Sequence, residues 1–137
     1  LVLTMQREVA ERICAEPGDL SLLALSVQVY GTPHISAIIP AQAFYPAPKV
    51  DSATLRVDLH PQPVFNDRQR EQFFTLIRAG FSQKRKMLRN TLSAGLQLPR
   101  EEVDALLTGA AIDPQRRAQT LTLQEWGTLT DHYLAAV

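Results

Sequence analysis

Cysteine is all but missing. Cys14 stands alone, so no internal disulfide can form, and no Cys/His cluster has the spacing of a zinc site. No apolar run approaches the roughly 20 residues that cross a bilayer, and no basic segment leads into an apolar one at the start of the chain. Net charge is missing as well: 14 basic side chains balance 14 acidic ones, so no overall field selects a polyanionic partner. Glycine-rich nucleotide loops and the Gly-x-Ser-x-Gly pattern do not occur. His34, His60 and His132 stand apart, with no partner at catalytic or metal spacing. Glu8, Glu11, Glu101, Glu102 and Asp104 fall at helix starts or on helix faces, where the dipole and solvation account for them. These absences predict a soluble, cytoplasmic protein without a metal. They leave it no nucleophile, general base or cofactor cradle of its own.

What is present is ordinary globular material. The 137 residues are 45% hydrophobic and 20% charged, which excludes disorder and collagen-like sequence. The chain opens directly on the apolar run Leu1-Val2-Leu3-Thr4-Met5. A natural chain rarely begins inside a buried strand, so the expectation is a fragment.

Residues 1–62 carry four basic and six acidic side chains and read as the end of an α/β domain. Leu1 to Met5 suits a buried strand, Gln6 to Ala15 a short amphipathic helix, and Pro17-Gly18 a break. Ser21 to Tyr30 is read as a helix that gives way by Gly31. Ile35 to Ile39 and the alternating Ala53 to Leu59 suit strands of an antiparallel pair. Pro61-Gln62-Pro63 then makes a stiff linker. Residues 63–137 carry ten basic and eight acidic side chains and read as helical throughout. Asn66 caps a helix with Phe73, Phe74, Ile77 and Phe81 on one face. The pattern predicts a second helix over Lys84 to Ala94, with Met87, Leu88, Thr91 and Leu92 inward. Pro99 opens a third that ends at Gly109, and Thr122-Leu123-Gln124-Glu125 is a capping box before Trp126, Leu129 and Tyr133.

Two segments carry chemistry. In Phe44-Tyr45-Pro46-Ala47-Pro48-Lys49-Val50-Asp51-Ser52, two prolines stiffen the loop behind an aromatic pair. Such a loop suits a platform for a planar ring. It equally suits a core plug, and by residue chemistry alone the plug is the commoner case. In the second segment, Arg78 to Arg100 holds six basic residues and no acid. Lys84, Arg85, Lys86 and Arg89 are expected to form a stripe along a helix that tracks a phosphate backbone. Ordinary solvated faces interleave acids with bases, and here none are interleaved.

Taken together, the segments resemble the rRNA adenine dimethyltransferases. Met5-Gln6-Arg7-Glu8-Val9-Ala10-Glu11-Arg12 is similar to their Gln-Lys/Arg-Glu-Val-Ala-x-Arg segment. Phe44, Pro46, Pro48, Val50 and Ser52 match every fixed position of their Phe-x-Pro-x-Pro-x-Val-x-Ser loop. Phe81-Ser82-Gln83-Lys84-Arg85-Lys86-Met87-Leu88-Arg89-Asn90 resembles the helix of the bacterial small-subunit (16S) enzymes, with Lys84 where arginine is commoner. Ile112-Asp113-Pro114 and Arg117-Ala118-Gln119-Thr120-Leu121 are similar to that branch's tail.

The resemblance implies a C-terminal part: residues 1–62 ending a Rossmann-like methyltransferase domain and residues 63–137 forming an all-α rRNA-binding domain. It implies S-adenosylmethionine as methyl donor, held in a missing N-terminal part. The implied reaction is dimethylation of N6 on two neighbouring adenines of small-subunit rRNA, by a monomer, during ribosome assembly. Phe44 would stack on the target base, with Pro46, Pro48, Val50 and Ser52 as loop scaffold. Lys84, Arg85, Lys86 and Arg89 would hold the rRNA. A non-catalytic ribosome-assembly factor on the same scaffold, or a large-subunit rRNA methyltransferase, are the alternative readings.

Overall fold

A computed structural model describes residues 1–136. Leu1–Glu16 and Leu23–Val64 form one compact unit; Pro17–Leu22 and the chain from Phe65 onward form the other.

In the first unit, β1 (Val2–Gln6) leads directly into α1 (Arg7–Ile13), followed by α2 (Leu22–Gln28), β2 (Gly31–Ile39) and β3 (Ser52–Leu59). The sheet order is β1-β3-β2, and both pairings are antiparallel. The expected antiparallel pair is therefore β2 and β3, and β1 adds a third strand on the far side of β3. Leu55 faces Leu3 on one side and Ile35 on the other. A bulge between Ile35 and Ala37 shifts the register of β2. The alternation in β3 buries Ala53, Leu55 and Val57, which pack with Ala10 and Ile13 of α1. Gln28 donates its side-chain amide to the carbonyls of Ile13 at 2.9 Å and Ala15 at 3.0 Å, closing the C-terminal end of α1.

The opening strand departs from expectation. Val2 is 61% exposed and Leu3 46%, so β1 is an edge strand and not a buried one. Among the described residues only β3 pairs with it, and Met5 near its end packs against the cluster formed with α1.

The second unit is built from α3 (Asp67–Gly80), α4 (Leu88–Leu96), α5 (Arg100–Gly109) and α6 (Leu123–Ala136). Asn66 Oδ1 accepts from the Gln69 amide at 2.8 Å while Gln69 Oε1 accepts from the Asn66 amide at 2.9 Å, a complete capping box. Phe73, Leu76 and Ile77 of α3, Leu92 of α4, Leu107 of α5 and Trp126 of α6 are fully buried or nearly so. Each such side chain contributes on the order of 1.5–3 kcal/mol through burial. Phe81 stacks on Trp126 with centroids 5.9 Å apart. Gly95 lets α4 approach α3, since a Cβ there would lie 2.5 Å from Ala79 Cβ. Pro17–Leu22 belongs with these helices: the Gly18 amide donates to the Gln119 carbonyl at 3.1 Å and Leu20 is buried. Gly18 turns there with φ of 110°, a conformation open to glycine. The division expected after residue 62 misses this excursion, because it depends on a contact a hundred residues away in the chain.

The helix expected from Lys84 begins instead at Leu88. If it continued backward, the Leu88 amide would bond to the Lys84 carbonyl. It donates to the Arg116 carbonyl at 2.8 Å, and the Arg89 amide donates to Pro114 at 3.2 Å. A tertiary partner therefore satisfies the first amides of α4, and residues 81–86 run as turns and bends. Met87, expected inward, is 36% exposed as the extended residue before the helix. Leu88, Thr91 and Leu92 do point inward.

Candidate nucleic-acid interface

The basic segment is a turn standing in front of α4. A bond from the Lys86 amide to the Gln83 carbonyl at 3.1 Å closes it, and Ser82 Oγ anchors its start on the Ala79 carbonyl at 2.7 Å. Lys84, Arg85 and Lys86 are all exposed. Among the described residues, none of the three takes part in an ion pair. Three cationic heads on an ordered, acid-free turn form a surface that attracts phosphate groups.

Arg89 is placed differently. Its Nη2 donates to Asp104 Oδ2 at 2.6 Å, tying α4 to α5, and both side chains are about seven-tenths buried. Arg89 Nε and Asp104 Oδ1 are buried without a partner. The expected stripe of Arg85 and Arg89 on one helix face is thus corrected: Arg85 lies in the turn, outside any helix, and the Arg89 guanidinium is committed to a carboxylate. Sequence periodicity could not reveal this, because Asp104 lies beyond the basic run.

In the sheet unit, Phe44 follows a single 3-10 turn, Ala41–Ala43, and its amide donates to the Ala41 carbonyl at 3.3 Å. Asp51 clamps this loop. Its Oδ1 accepts from the Ala41 amide at 2.9 Å, and its carbonyl accepts from the Arg7 amide at 2.9 Å. The Tyr45–Pro46 peptide is cis. Phe44 is 40% exposed and Tyr45 fully so, which does not suit a core plug. Val50 is exposed as well, and Ser52 begins β3 opposite Gln6 and Ile39.

The family model for ribosomal RNA adenine dimethylase matches residues 1–133. The chain belongs to that family. It is 43% identical over 133 residues to the ribosomal RNA small subunit methyltransferase A of Dehalococcoides mccartyi (strain CBDB1), covering 97% of this chain and 46% of the relative. It is 41% identical to the protein of the same name from Desulfitobacterium hafniense (strain DSM 10664 / DCB-2), covering 96% of this chain and 48% of that one. The chain thus spans about half the length of the curated relatives it matches. Among solved structures, a dimethyladenosine transferase from Plasmodium falciparum superposes with a TM-score of 0.76 at 20% identity, over 93% of this chain and 55% of the other. The 23S rRNA methyltransferase ErmE gives 0.65 at 21% identity, over 96% and 53%. At those identities the likeness is one of fold.

The rRNA adenine dimethylases use S-adenosylmethionine, and the described residues do not fit it. Such a cofactor needs a glycine-rich turn after a parallel strand. All strand pairings here are antiparallel, and β1 passes into α1 without a glycine. The hollow beside the Phe44 loop is lined by Val50 and by the charged Arg7, Glu8, Glu11, Lys49 and Asp51, with no aromatic wall for an adenine. Burial pushes the Cys14 thiol pKa up, which disfavours its thiolate.

Proposed function

We propose that this chain is the C-terminal part of an S-adenosylmethionine-dependent rRNA adenine N6-dimethyltransferase acting on the small ribosomal subunit in the cytoplasm. The observation that carries the reading is the match along nearly the whole chain to relatives named for small-subunit rRNA methylation. In this reading the methyl donor is held outside these residues, and the chain by itself transfers no methyl group.

The chain's own contribution is to hold the substrate. An adenine N6 amine is a poor nucleophile because its lone pair is delocalised into the ring, so the base must be presented in a fixed orientation. A base leaving its stack loses a few kcal/mol, by rough estimate, and an aromatic shelf offsets part of that. Phe44, exposed on a clamped loop, supplies the shelf. Lys84, Arg85 and Lys86 supply phosphate contacts that position the rRNA without reading its sequence. Arg89 acts behind them by fixing α4 on Asp104.

The test is to supply the longer protein with S-adenosylmethionine and immature small subunits, then digest the rRNA and look for N6,N6-dimethyladenosine by mass spectrometry. The modified nucleoside on small-subunit rRNA is expected. Its absence there, or its appearance only on large-subunit rRNA, would overturn the reading.

A further inference from the structure

The helical unit contains a cleft of about 340 Å³ beside the basic turn. Gln83 and Lys86 line it from the turn, Asn90 and Ala94 from α4, and Arg100 from the first position of α5. No carboxylate is among its lining residues. Arg100 Nη2 donates to Asn90 Oδ1 at 2.5 Å, which brings the guanidinium to the rim of the cleft. The Asn90 amide hydrogens and the Gln83 amide bring donors and an acceptor to the same space.

This volume far exceeds a phosphate and falls in the range of small-ligand sites, about 300–1,000 Å³. Two cations without a carboxylate select an anion. A guanidinium in a cleft that Ala94 also lines offers a face to a planar ring. Those requirements meet in a nucleotide. Unpaired nucleotides are also where proteins reach RNA bases, because the major groove of an A-form duplex is too narrow for side chains.

We propose that the cleft takes one unpaired nucleotide of the rRNA, with its phosphate at Lys86 and its base against the Arg100 plane. This rests on the rRNA-binding reading of the basic turn and adds a second class of contact to it. The turn holds backbone phosphates, and the cleft engages a single base.

The experiment titrates in vitro transcribed small-subunit rRNA, by fluorescence anisotropy, against the full 137-residue chain and three variants. These are Arg100→Ala, Arg100→Lys and the double variant Lys84→Ala/Arg85→Ala. In parallel, adenosine monophosphate and inorganic phosphate are added separately while the backbone amides of Gln83, Asn90 and Ala94 are followed by NMR. Arg100→Ala is expected to weaken rRNA binding about tenfold, with unchanged thermal melting. Arg100→Lys should remain weak, because an ammonium keeps the charge and loses the plane. Adenosine monophosphate should shift the cleft amides at concentrations where phosphate does not. Full rescue by Arg100→Lys, with phosphate shifting the same amides, would make the cleft a phosphate site and overturn the assignment. Wild-type affinity in Arg100→Ala beside weakened binding in the double variant would remove the cleft and leave the turn's role standing. Wild-type affinity in the double variant would remove both.

Discussion

Arg116 grips Glu125 with both terminal nitrogens of its guanidinium, and the same carboxylate closes the cap of α6. Glu125 Oε1 accepts from Arg116 Nη2 at 3.0 Å and from the Thr122 amide at 3.0 Å, while Thr122 Oγ1 accepts from the Glu125 amide at 3.0 Å. Arg116 also donates to the Thr120 carbonyl at 2.6 Å. Its own carbonyl receives the Leu88 amide that starts α4. One ion pair therefore joins the start of α6 to the start of α4, directly behind the basic turn.

This arrangement predicts a pH dependence. The hydrogen bond from Arg116 holds the Glu125 carboxyl below the usual carboxylate range. A group with a lowered folded pKa contributes stability above its unfolded value, about 4.3 for glutamate. That contribution is lost as pH falls through the lower folded value. Thermal melting should therefore drop on acidification below that range, and Glu125→Gln should lower the melting temperature at neutral pH while flattening this acid limb. An acid limb identical in the variant would show that other groups set it.

Neutralising Lys84, Arg85 and Lys86 together should weaken rRNA binding and reduce the log–log salt slope, by about two to three if each meets a phosphate. Circular dichroism should not change, because these heads are exposed. An unaltered slope would reduce the turn to a solvated surface.

Arg89→Ala should behave in the opposite way. It strands the largely buried Asp104 carboxylate and should cost about 1–3 kcal/mol of stability. Its effect on the salt slope should be small. Urea denaturation and the salt titration, run on the same samples, separate the two roles.

For Phe44, the aromatic face is what matters if the ring carries the target base. In the longer protein, Phe44→Ala should remove a contact of roughly 1–3 kcal/mol. Turnover should fall more than rRNA affinity. Phe44→Tyr and Phe44→Trp should retain much of the activity and Phe44→Leu should not. Wild-type turnover in the leucine variant would end the stacking role.

Gly95→Ala sets two effects against each other. Helix propensity favours alanine by about 1 kcal/mol, but the new methyl would meet Ala79 Cβ at 2.5 Å. Overpacking of this kind typically costs about 1–3 kcal/mol, so a lower melting temperature is expected. A rise would mean that α4 can move away from α3 without penalty.

By itself the sequence determined most of the local structure, because local structure answers to neighbours. The alternation of Ala53, Leu55 and Val57 placed one face of β3 in the core. Asn66 with Gln69, and Thr122 with Glu125, located two helix starts, since each capping box closes within four residues. The Phe44 loop and the acid-free basic run were legible for the same reason, and with them the family. Tertiary structure alone decided what needs a distant partner. The carbonyls of Pro114 and Arg116 took the first amides of α4, which turned an expected helix over Lys84 to Met87 into a turn. Asp104 took Arg89 out of the basic stripe. Asn90 brought Arg100 beside Lys86 around one cleft. Each outcome depends on a hydrogen bond to a residue outside the segment itself, and periodicity along the segment carries no record of it.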